Sequence, residues 1–151
     1  MSKSGESRAV PPGALFVAAG EELLIFPSTA VARKLLEAGE AAEGLYSAAY
    51  GPTGEPYRIG FKADRVLVER TAEAVRPDEL KALLLRHLEA CEDPADATQP
   101  FEEIVAIAWS IEEDYRLRCS PSGNRIGSRI PVWGYGAGAL TLAALWYFGW
   151  R

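Results

Sequence analysis

Few residues in this chain could do chemistry. It has one histidine and two cysteines. His87 and Cys91 stand one helical turn apart in a run whose apolar residues recur at helical spacing, so both read as members of a packed face. Cys119 lies beside Arg116, Arg118 and Arg125, cations that favour a thiolate, but no base accompanies it. Glu112, Glu113 and Asp114 are the densest acidic cluster, yet adjacent positions of a helix point in different directions. They read as a solvated face, not a metal site. Ser120-Pro121-Ser122-Gly123 lacks the strand-to-helix elbow of a nucleophilic serine. Gly134-x-Gly136-x-x-Ala139 matches the dinucleotide fingerprint as a string. That mechanism needs an acid about 20 residues further on, and the sequence stops at Arg151. The expectation is a chain without catalytic residues, cofactor or metal.

The elements that position these residues divide by charge. All 21 acidic residues lie at or before Asp114. The first 115 residues carry 11 basic residues against those 21, a net charge of −10. The remainder carries five arginines and no acid, namely Arg116, Arg118, Arg125, Arg129 and Arg151. Residues 130–150, IPVWGYGAGALTLAALWYFGW, form 21 positions without a charge. As a helix they would be about 30 Å long, the hydrocarbon thickness of a bilayer. Trp133 and Tyr135 near one end and Trp146, Tyr147 and Trp150 near the other suit the two interfaces. With Arg125 and Arg129 before it, the positive-inside bias places the N-terminal domain in the cytoplasm. Gly134-x-x-x-Gly138 has the small-residue spacing of a helix–helix contact, hence a homodimer through Gly134 and Gly138. An acidic domain in that setting is not expected to bind nucleic acid.

The part before the tail reads as an α+β domain with a small antiparallel sheet and two or three helices on one face. Residues 1–12, mostly polar or proline, are expected to be disordered. The apolar runs ALFVA and LLIF flank Gly20 as a hairpin. Ser28 is placed to cap a helix that Val31, Leu35 and Ala38 carry forward to Gly39. Tyr46, Ala48 and Tyr50 alternate onto one strand face, and Gly51-Pro52-Thr53-Gly54 is a turn. Tyr57, Ile59 and Phe61 alternate in the next strand, followed by a β-rich run at 65–71. Leu80, Leu83, Leu84, His87, Leu88 and Cys91 follow the helical series after Pro77. The core is expected from Leu15, Val17, Leu24, Phe26, Leu35, Ile59, Phe61, Val66, Val68, Leu80, Leu84 and Leu88. A last helix over 101–118 is expected to pack on the domain, completing it at residue 118. Residues 119–129 are a basic juxtamembrane linker.

The order FVAAGEELLIFPS, a short helix, GLYSAAYGPTGEPYRI, a further strand and PDELKALLLRHL resembles small uncharacterised bacterial α+β proteins. Some of those are candidate immunity proteins of toxin systems. The likeness covers about residues 13–90 and centres on Tyr46-x-x-x-Tyr50-Gly51-x-x-Gly54. It implies a fold and a toxin-binding role, and it brings no catalytic residue to any position here. The expected function is therefore a non-enzymatic, membrane-tethered protein-binding module, in the manner of an immunity-type inhibitor. Its partner is expected to be basic, met through Glu112, Glu113 and Asp114 or through Tyr46, Tyr50 and Tyr57. A structural membrane adaptor, or a soluble α+β protein that buries its apolar C-terminus in the core, fits the same residues.

Overall fold

A computed structural model describes residues 9–119. The expected span at 130–150 with its interfacial residues, the linker after Cys119 and the Gly134/Gly138 contact lie outside the described residues. Among the described residues no helix is long and apolar enough to cross a membrane.

The domain is α+β, with a five-stranded antiparallel sheet in the order β2-β1-β3-β4-β5. The strands are β1 (Leu15–Ala19), β2 (Glu22–Phe26), β3 (Tyr46–Tyr50), β4 (Pro56–Lys62) and β5 (Arg65–Arg70). Gly20, at φ +60, supplies the left-handed first position of the two-residue turn from β1 to β2. Ser28 caps α1 (Thr29–Leu35), its hydroxyl accepting from the Val31 amide at 3.2 Å. The expected continuation to Gly39 does not occur. Leu36 turns extended (φ −70, ψ 133) and is buried, and a separate α2 (Ala38–Ala42) takes Gly39 into its interior. Pro77 opens α3 (Pro77–Ala90), where its missing N–H costs nothing, and α4 (Phe101–Cys119) ends the described chain.

The helices do not share one face, which corrects the expected architecture. Leu15, Val17, Phe26, Ala49, Val66 and Val68 form one buried cluster with Ala32 and Leu36, on the side of α1 and α2. Ala14, Phe16, Leu23, Ile25 and Tyr50 form another with Leu80, Leu84 and Leu88 of α3 and Ile104, Val105, Ala108 and Trp109 of α4. Strand alternation explains the split: successive residues of β1 point to opposite faces, and four of its five are buried. The sheet is thus packed between two helical layers. Phe61, expected in the core, is 42% exposed. Cys91, expected buried at the end of α3, is exposed. Val10 packs against the α3/α4 cluster, and Pro11 accepts from the Ala14 amide, although disorder was expected through residue 12.

Both outer strands carry a guard. Arg33 of α1 donates to the Val68 carbonyl of edge strand β5 at 2.8 Å. Arg116 of α4 donates to the Ile25 carbonyl of edge strand β2. A guanidinium on an edge carbonyl removes an acceptor from any chain pairing there.

Candidate functional site

The opening in this sheet is internal. β4 and β5 pair through six residue pairs, from Tyr57↔Arg70 to Lys62↔Arg65. β3 and β4 pair only at Ala49↔Tyr57 and Tyr50↔Pro56. The cause lies on the other side of β3. Its register with β1 runs Ala18↔Ala48 and then Ala19↔Tyr46, so Ser47 is the extra residue of a bulge. A bulge bends its strand and increases the local twist, which carries residues 46–48 away from β4. A groove of about 310 Å3 results, lined by Tyr46, Ala48, Tyr57, Arg58, Thr71 and Arg76 among others.

The bulge also separates the tyrosines expected on one surface. Tyr46 packs with the α1/α2 cluster. Its hydroxyl donates to Glu40 at 2.5 Å and accepts from the Glu37 amide at 3.1 Å, pinning α2 to the sheet. Tyr57 packs on that same side. Tyr50 belongs to the opposite cluster and donates its hydroxyl to the Glu79 carboxylate of α3. Arg76, just before α3, bridges Glu73 at 2.5 Å and Glu79 at 3.3 Å. All three tyrosines touch the groove, from opposite faces of the sheet.

These contacts set the proton affinities. Burial and the hydrogen bond to Glu40 push Tyr46 up to about 12. Burial and the hydrogen bond to Glu79 push Tyr50 up to about 12. The same bond from Tyr50 holds the Glu79 carboxyl below its ordinary range, helped by Arg76. A phenol held protonated in the fold favours the folded state while both states are protonated. That contribution is present below pH 10 and disappears as pH rises from about 10 to about 12. The expected result is a tyrosinate absorbance titration with a component near pH 12 that shrinks in Tyr46→Phe and again in Tyr50→Phe. A wild-type titration complete by pH 11 would contradict both hydrogen bonds.

The acidic cluster is dispersed. Glu112 is half-buried and bonded to Arg116 at 3.1 Å, one helical turn on; burial pushes its carboxyl up in spite of that cation. Arg116 also lies 5.5 Å from the Trp109 ring centroid. Glu113 is half-buried, and Asp114 alone of the three is exposed. The trio does not form one exposed patch. Burial holds the His87 imidazole below its ordinary range, and Cys91 Sγ lies 3.7 Å from His87 Nε2. Partial desolvation of its thiol, with Glu112 and Asp93 nearby, pushes the exposed Cys91 up, away from a reactive thiolate. Among the described residues no group of three or more His, Cys, Asp or Glu is placed to hold a metal ion.

Sequence reasoning missed two arginines here. Arg58 lies on the groove, and Arg86 of α3 borders a second depression of about 330 Å3 lined by Ala48, Tyr50, Glu79, Ala82 and Leu83. The signal was present: Glu79, Ala82, Leu83 and Arg86 follow the i, i+3, i+4, i+7 series that puts them on one stripe of a helix. No family model, curated protein or solved structure matches this chain.

Proposed function

We propose that this chain is a non-enzymatic protein-binding module, held at a membrane by residues 130–150 in the manner of an immunity-type inhibitor, and that it binds at the β3–β4 opening. One observation carries the binding surface. Both outer edges of the sheet are guarded by arginines, while the two internal strands part after two residue pairs. A strand edge left open inside a guarded sheet offers main-chain donors and acceptors to a partner. The groove chemistry suits binding over catalysis. Its hydroxyl–carboxylate pair, Tyr50 with Glu79, keeps the phenol protonated, which is the opposite of nucleophile activation. The membrane part rests on the uncharged length of residues 130–150 and the arginines before it.

A photo-crosslinking amino acid placed at Ser47, exposed on the groove, should trap one defined protein in cells, recovered with the membrane fraction after a carbonate wash. The same group at Lys34, exposed on α1, should trap none. Crosslinks that do not differ between the two positions would refute the binding surface. Full-length protein released by carbonate would refute the tether alone.

A further inference from the structure

The two depressions share Ala48 and Tyr50, so they form one trough along the α3 side of β3. Its floor is small or aromatic: Ala48 and Tyr50. One wall is the stripe Glu79, Ala82, Leu83 and Arg86, which is distinct from the core stripe Leu80, Leu84 and Leu88 on the same helix. The seven helical rises from Glu79 to Arg86 give a wall about 10 Å long, the span of about three extended residues. The other wall is β4 with Arg58.

The charges of this trough run against those of the domain. Its acids are already engaged: Glu79 by Tyr50 and Arg76, and Glu73 by Arg76. Arg58 and Arg86 are both exposed, and among the described residues neither has a carboxylate within ion-pair distance. Glu69 stands opposite Arg58 in the strand register without closing on it. An apolar floor between two uncommitted guanidiniums matches an apolar side chain flanked by carboxylates. Guanidinium is the cation best shaped to take a carboxylate through two hydrogen bonds.

We infer that the trough takes a short extended acidic segment of the partner protein, an apolar residue on Leu83 and Ala48 with acids reaching Arg58 and Arg86. This rests on the protein-binding reading above and reverses the partner charge expected from the overall balance of −10 over the first 115 residues. Lipid phosphates could also meet two arginines, but the floor between them and the bound carboxylate of Glu79 favour a peptide.

The test is selection of a random displayed peptide library on the full-length chain, with counter-selection on Ala82→Trp, which fills the trough from an exposed position. Peptides enriched in Asp or Glu around an apolar residue are expected. In fluorescence anisotropy their affinity should fall about tenfold in Arg58→Gln/Arg86→Gln. It should recover in part in Arg58→Lys/Arg86→Lys, which restores the charges without the two-bond fork and excludes a folding defect. Trough-dependent peptides that are basic or neutral would overturn the acidic assignment and leave the binding reading standing. Absence of any trough-dependent peptide would overturn both. A water-soluble short-chain phosphatidylserine that binds the wild type and not the Gln/Gln variant, without competition from the selected peptide, would assign the arginines to lipid instead.

Discussion

Phe16→Ala is expected to cost about 3–5 kcal/mol, the range for removing a ring from a filled core. Phe16 is fully buried on the interior strand β1, in register with Ile25 on one side and Tyr50 on the other. Leu80, Leu84 and Leu88 of α3, all at 0% exposure, close the cluster above it. The loss should appear as a lower urea midpoint with an unchanged m value, the mark of altered stability without altered compactness. Phe61→Ala is the comparison: that ring is 42% exposed on β4, and its removal should cost less than about 1 kcal/mol. Equal losses at the two positions would mean that α3 and α4 do not cover the second face of β1.

That comparison bears on how the fold is written in the sequence. The hairpins, the phase of α3 through Leu80, Leu84 and Leu88, and the packing of α4 all follow from local periodicity, and the structure has them. The second helical layer does not follow from alternation, because β1 has none. ALFVA is apolar at every position, the pattern of a strand buried on both faces. A five-residue apolar run supports either parity, so choosing Leu15 and Val17 left Phe16 unexplained. The break after α1 was hidden for a related reason. Val31, Leu35 and Ala38 keep helical spacing while the backbone between them extends at Leu36 to bury that side chain.

The site was legible in parts. Tyr46, Tyr50 and Tyr57 do gather at the groove, but a one-residue bulge at Ser47 sends Tyr46 and Tyr50 to opposite faces, and no residue type announces it. The acidic trio illustrates a different limit. Density of like charge along a sequence is not density on a surface. Glu112 followed four residues later by Arg116 was already a helical pair, so one of three charges was spent internally. The uncommitted arginines came from different elements, β4 and α3, and only the chain's folding back places them on one trough.

The turn that starts this folding back is the place where one methyl group should do the most harm. Gly54 sits at φ +88, between β3 and β4. A Cβ there would lie 2.7 Å from Pro77 N, 2.8 Å from Pro77 Cα and 2.9 Å from the Arg76 carbonyl carbon, all backbone atoms. The Arg76 amide donates to the Gly54 carbonyl at 2.8 Å, so turn and helix start are held together. Gly54→Ala therefore combines left-handed strain of about 1–2 kcal/mol with forced separation of packed backbone, about 1–3 kcal/mol. A total loss of about 2–5 kcal/mol is expected. Gly44→Ala isolates the first contribution, since Gly44 is at φ +74 with nothing within 4 Å of its added Cβ. The difference between the two variants in urea denaturation reads the close approach by itself. Because Arg76 must move in Gly54→Ala, its bridge to Glu73 and Glu79 loosens. The Arg76 cation works against the raised proton affinity of Tyr50, so Tyr50, still bonded to Glu79, should then hold its proton more tightly. A higher tyrosinate midpoint in Gly54→Ala, absent in Gly44→Ala, would tie the turn to the wall of the trough. Equal stability losses with unchanged titration would show that Pro77 gives way without disturbing it.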